Sequence, residues 1–295
     1  MKKDITERRK GVIALLLLSL VFASMGIFAR FLNTEFTIFQ QVYLRIFAAF
    51  ILGILIFYKD LDFKKLTKIP LREWGVIVLR SISLYVLGVT LISVAFIKAD
   101  YSNASFISSL PMTAVLGFIF LKEKVTFQKV LYIFLGFLGV IIIAVSDYSH
   151  LLSWGQGEIA ALISCFFFAL SYIATRWHSK LLNIKEITIL IFFVSTLLLF
   201  ITSLLFGEGL PHASSFSGFM IAVITIAGLF NVANLFLTNY GLQRIPAVLV
   251  SNLLTFEVVF AVLISIIIYK EVPLPREFVG GLLIVSSSYM MNKIV

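Results

Sequence analysis

The chain has 295 residues, of which 60% are hydrophobic and only 13% charged, with a mean hydropathy of +1.06. Soluble domains carry about a quarter charged residues, so a water-soluble globule is excluded and most apolar side chains must face lipid or a neighbouring helix. The net charge of +9 does not signal nucleic acid, because the basic residues alternate between successive loops instead of clustering.

Ten apolar spans follow in order, at about 11–31, 37–57, 75–97, 102–121, 128–146, 156–175, 187–206, 216–239, 246–268 and 277–292. A helix rises ~1.5 Å per residue, so about 20 residues cross a ~30 Å bilayer core. The opening MKKDITERRK and the run behind it resemble a signal peptide. The run continues to Ala29 without a small-x-small cleavage site, so it is read as a retained first span. Connections are short, and none could hold a soluble domain. With the N-terminus inside, the inner segments carry eighteen Lys and Arg and the outer ones three (Lys98, Lys270, Arg276). That bias places both termini in the cytoplasm; a bacterial inner membrane is the expected location.

An internal repeat organises the chain. Gly11–Arg30 and Gly157–Arg176 align at an offset of 146, with eight of 20 positions identical. Lys122-Glu123 and Lys270-Glu271 recur at an offset of 148. Five spans per copy is an odd number, so the second copy must enter from the opposite side. The expected fold is an all-α integral membrane protein of ten transmembrane helices, in two inverted five-helix repeats over 1–147 and 148–295.

Several residues carry potential chemistry. Glu257 sits mid-span in the ninth run, where a charge costs about 3 kcal/mol or more to insert. It either exchanges a proton or pairs with an ammonium group, or it is a carboxylic acid bonding two helices together. Arg45, about eight residues inside span two, would bind a substrate carboxylate, pair with Glu257, or snorkel to the outer interface. Arg80, five residues inside span three, reads first as a snorkelling residue at the inner interface. Arg30 and Arg176 occupy matched ends of spans one and six, as gate residues on opposite faces or as interface anchors. Asn231, Asn234 and Thr238 share one face of span eight and need polar partners, from a cavity or another helix. Tyr85 in span three and Tyr172 in span six, where the first copy has Gly26, are candidates for the same cavity. The Lys-Glu pairs read as caps of the helices that follow them or as residues that order a tight turn.

Other chemistry is not indicated. The single Cys165 can form no intrachain disulfide, and His150, His178 and His212 match no metal spacing, so no metal and no cofactor are expected. Gly155-Gln156-Gly157 lacks the rest of a phosphate loop, and no catalytic triad or paired carboxylate stands out, so an enzyme is not expected.

The residues Leu44-Arg45-Ile46-Phe47, Ser109-Leu110-Pro111 with Lys122-Glu123, Glu257-Val258-Val259-Phe260-Ala261 and the paired first spans resemble the drug/metabolite transporter superfamily, with two EamA-type repeats over nearly the whole chain. Members usually have Pro where this chain has Val258. The resemblance implies a ten-helix metabolite transporter with a central cavity between its halves. Both signs of charge in the bundle suggest a zwitterion, amino acids first, moved by alternating access with a proton as the candidate coupling ion. Nucleotides, nucleotide sugars or other phosphorylated solutes form the alternative, which would require several cavity cations, Arg80 among them. A receptor or scaffold is the alternative of another class. Lipid and a small-molecule substrate are the expected partners; the apolar surface does not specify an oligomeric state.

Overall fold

The computed structural model describes residues 2–66, 68–99, 104, 107–145, 155–264, 266 and 274–294. Within them every regular element is helical. Helices lie on the ten apolar runs of the sequence: α1 (Lys2–Leu32), α2 (Ile38–Phe57), α3 (Leu71–Lys98), α4 (Met112–Phe120), α5 (Phe127–Ala144), α6 (Gln156–Ala174), α7 (Ile184–Leu205), α8 (Gly218–Leu242), α9 (Ala247–Ile264) and α10 (Pro275–Ile294). Seven of them, α1, α2, α3, α6, α7, α8 and α9, are long and apolar enough to cross a membrane, and α5 is a shorter apolar helix. The part of α4 described is nine residues, and α10 is 20 residues with a more polar sequence.

Helix α1 begins well before the apolar run. Its charged first turns are good helix formers and find partners. Glu7 pairs with Lys10 at 2.8 Å and with Arg244 at 2.9 Å. Arg8 donates to Asn292 Oδ1 at 2.8 Å, which brings both ends of the chain together. We call this end of the bundle the near end and the other the far end.

The halves interlock rather than sit side by side. Helix α1 packs on α8 and α3 on α6; α2 packs on α7 and α8; α4 packs on α9 and α5 on α10. Exchanging α1–α5 with α6–α10 maps the α1–α8 pair onto α6–α3, and α1–α9 onto α6–α4. Small residues permit the closest approaches. A Cβ on Gly139 would lie 2.6 Å from the Gly280 carbonyl oxygen, and one on Gly280 2.6 Å from that of Gly139, so α5 and α10 touch backbone to backbone. Large apolar side chains such as Leu55, Leu205 and Leu282 point outward, as a lipid-facing surface requires.

Three spans are irregular next to the interior. Residues 82–89 of α3 form a π-helix, which widens the turn at Tyr85. Its carbonyls are picked up by side chains: Thr90 Oγ1 donates to Tyr85 O at 3.2 Å, and Ser164 Oγ to Gly88 O at 2.8 Å. Helix α4 starts just after Pro111, and Cys165 Sγ lies 3.5 Å from Ser108 O and 3.6 Å from Leu110 O. Helix α9, expected to be continuous, is interrupted at Thr255, whose hydroxyl donates to Asn252 O at 2.7 Å.

Glu123 corrects the expected capping. Its Oε1 accepts from Ala247 N at 2.7 Å and its Oε2 from Val248 N at 3.2 Å. It therefore caps α9 of the other half, while Thr126 caps the following helix by accepting from Lys129 N. Lys270 and Glu271 lie outside the described residues.

Candidate functional site

The three irregular helices border one cavity of about 150 Å³. Its charged lining residues are Arg45 from α2 and Glu257 from α9. Tyr85, Tyr172, Asn231 and Asn234 share the wall, with Ser and Thr side chains from α3, α4 and α9. Phe22, Phe96 and Phe168 are among its apolar members. The α1 contribution, Phe22, Met25 and Ala29, comes from the second half of that helix, and the α3 contribution runs from Leu84 to Phe96. The cavity thus reaches from the middle of the bundle toward the far end.

Arg45 is 3% exposed, so it does not snorkel to the interface. Its Nε donates to Gln41 O at 3.3 Å, and its Nη2 has no hydrogen-bond partner. No carboxylate among the described residues comes within salt-bridge range of it. A buried guanidinium left this way is costly unless another group meets it. Glu257 is half-buried one short turn after the Thr255 interruption. It also forms no ion pair with any described residue, although it shares the cavity wall with Arg45.

Asn231 and Asn234 face the cavity, and Asn231 Nδ2 donates to Ala227 O at 2.8 Å. Thr238 departs from this group: it is 1% exposed, absent from the lining, and its hydroxyl is unpartnered. Four residues further toward the near end, it lies beyond the cavity floor.

Arg80 corrects another expectation. It is fully buried instead of snorkelling, and it does not line the cavity. Its Nε donates to Ser171 O at 3.2 Å, its Nη2 to Asn239 Oδ1 at 2.7 Å, and its Nη1 meets His178 Nε2 at 3.1 Å. Guanidinium only donates, so Nε2 must accept and the ring proton sits on Nδ1. That nitrogen donates to Glu73 Oε1 at 2.5 Å. Glu73 Oε2 accepts from Ser179 N at 2.9 Å, and Asn239 Nδ2 donates to Thr188 Oγ1 at 3.0 Å. Burial, with the Arg80 cation beside it, pushes His178 down to about 4, against the upward pull of the Glu73 carboxylate. Arg176 donates to Ile245 O, tying α6 to the loop before α9. The Arg30 side chain lies outside the described residues.

The profile of the EamA-like transporter family matches residues 9–145 and again residues 155–293. The chain belongs to the EamA-like transporter family. No curated protein matches it. One solved structure, titled only "Crystal structure of protein", superposes with a TM-score of 0.76 over 96% of this chain and 98% of that one. At 14% identity that likeness concerns the fold alone.

As an EamA-like transporter of the drug/metabolite type, the chain is a multi-pass membrane transporter of small molecules. Sequence reasoning missed the Glu73–His178 part of the buried network. Each reads as an edge-of-span polar residue, and only the packing of α3 against the end of α6 brings them together. It also missed Ser108, Thr113, Ser251 and Thr255 in the cavity wall, since single hydroxyls in apolar helices usually satisfy themselves on the preceding turn.

Proposed function

We propose that this EamA-like transporter carries zwitterionic solutes of amino-acid size, with Arg45 receiving the carboxylate and Glu257 the ammonium group or a coupling proton. The observation that carries this reading is the presence of two opposite, mutually unpaired charges on one cavity wall. A zwitterion satisfies both at once, and charge-assisted bonds are the stronger kind. Asn231, Asn234, Tyr85 and Tyr172 supply the remaining polar contacts. The size of the cavity agrees: a void of about 150 Å³ accommodates a benzene-sized molecule. Phosphorylated solutes would need more cations, and of the two deep arginines Arg45 faces the cavity while Arg80 is engaged elsewhere.

In this reading the two halves are inverted repeats, and the substrate site alternates between the two faces as they rock against each other. The Lys and Arg bias supports placing the near end, with both termini, in the cytoplasm. Direction follows the gradients, so export and exchange are both served by the same cycle.

The test is counterflow in proteoliposomes against labelled amino acids, nucleosides and phosphorylated metabolites, wild type beside Glu257→Gln. Exchange of amino acids that the folded variant loses supports the reading. Exchange of phosphorylated solutes alone refutes it.

A further inference from the structure

The Glu73–His178–Arg80–Asn239 chain is not accounted for by the cavity. It lies on the near-end side of it and crosses from the first half to the second. Glu73 and Arg80 belong to α3, Ser171 to α6, His178 follows α6, and Asn239 belongs to α8. Helices α3, α6 and α8 are therefore held through one guanidinium, and Asn239 carries the chain on to Thr188 in α7.

Two features separate this chain from an ordinary structural tie. First, the repeat has no second copy of it. Offsets of 146 to 148 carry Arg80 to Ile226, Ala227 and Gly228, and an offset of 146 carries His178 back to Leu32. The far end of the bundle thus has no arginine and no imidazole at the positions equivalent to Arg80 and His178. A device needed only to hold a two-copy fold together would be expected in both copies. Second, Arg80 binds three neutral acceptors and reaches a carboxylate only through His178. Such bonds are weaker than a bidentate arginine–carboxylate pair, so they can be exchanged within a working cycle. The π-helical turn of α3 begins two residues after Arg80, and such irregular turns concentrate at functional, deformable places.

We propose that Glu73, His178, Arg80 and Asn239 form a latch that seals the near end of the cavity, and that opening toward that end requires Arg80 to leave His178 and Asn239. Arg80 and His178 are then gating residues that do not touch the substrate. The latch rests on the chain being a transporter and is independent of which solute it carries.

The native sequence supplies a reporter. Cys165 is the single cysteine, and it lines the cavity. Oriented proteoliposomes would be exposed on one face at a time to a membrane-impermeant, cationic methanethiosulfonate, and Cys165 modification followed by mass. Ser251→Cys in a Cys165→Ala background is a second reporter on the same wall. The latch predicts wild-type labelling from the far face at least fivefold faster than from the near face. His178→Ala, and Arg80→Lys, which keeps the charge but loses the fork, should raise near-face labelling at least fivefold. Asn239→Asp gives Arg80 a carboxylate, so near-face labelling should fall below wild type and counterflow turnover should drop several-fold at unchanged KM. Near-face labelling unchanged at both reporters in whichever loosening variant remains monodisperse would overturn the latch. So would an Asn239→Asp protein that labels and turns over like wild type. Because labelling needs no substrate, failure of the zwitterion reading would show only in the counterflow panel.

Discussion

Arg45 and Glu257 line the same cavity without pairing with each other. An arginine and a glutamate that shared a low-dielectric cleft for structural reasons would be expected to close on one another, since each alone pays a large desolvation cost. Keeping them apart leaves room for a solute that carries the complementary charges.

Removing either charge should therefore weaken binding without unfolding the protein. Hydrogen bonds to charged groups are worth about 1.5–3 kcal/mol, so Arg45→Gln should reduce the affinity for a zwitterion by roughly 10- to 100-fold. Tryptophan-fluorescence or calorimetric titration in detergent measures it. A variant that binds as tightly as wild type would remove Arg45 from the site.

The approach of α5 to α10 makes Gly139 intolerant of side chains. A Cβ there meets the Gly280 carbonyl oxygen at 2.6 Å and the Ile284 side chain at 2.9 Å. Gly139→Val forces the helices apart and should cost about 1–3 kcal/mol, as overpacking generally does. Thermal unfolding in detergent should show a lower Tm, and Gly75→Val, where a Cβ meets nothing within 4 Å, should show little change.

Glu123 should matter to a helix 124 residues away in sequence. Its two oxygens hold the first amides of α9. Glu123→Ala removes this cap, which should cost about 1 kcal/mol. Hydrogen exchange should quicken at Ala247 and Val248 while the amides of α5 are unaffected.

The His178 environment sets a pH window. Its folded value of about 4 lies below the ordinary 6.5, so between these values the unfolded chain binds the extra proton. The contribution of neutral His178 to stability is undiminished above about pH 6.5 and is lost progressively as pH falls toward 4. The charged groups facing the ring are Arg80, which opposes its protonation, and Glu73, which favours it. His178→Gln keeps an acceptor but cannot titrate, so its Tm should fall less than that of wild type between pH 6.5 and 4. Identical pH profiles would show that the imidazole does not take up a proton there.

What could be read from the chain follows from where physical cost is visible in sequence. Arg45, Glu257, Asn231 and Asn234 stand out because polar groups in apolar spans are expensive, and the structure gathers all four on one cavity. Helical spacing placed Thr238 on the same face of α8, but it carries no depth information, and Thr238 is past the cavity floor. Arg80 looked like an interface residue because five residues from a span end is within snorkelling reach. Its partners, His178 and Asn239, come from elements 98 and 159 residues away, and no local pattern encodes such contacts. Glu123 was read as a local cap for the same reason. The seven long apolar helices were legible from hydropathy, whereas the breaks at Pro111 and Thr255 depend on how α4 and α9 meet the cavity.

The most direct measurement is counterflow of one labelled amino acid, competed by its carboxamide and its N-acetyl derivative, in wild type, Arg45→Gln and Glu257→Gln. Two-charge recognition predicts that wild type discriminates against both derivatives by tenfold or more. Arg45→Gln should lose discrimination against the carboxamide only, and Glu257→Gln against the N-acetyl form only. If both variants keep the wild-type ranking of the three solutes, Arg45 and Glu257 do not read the substrate's charges, and the zwitterion account is wrong.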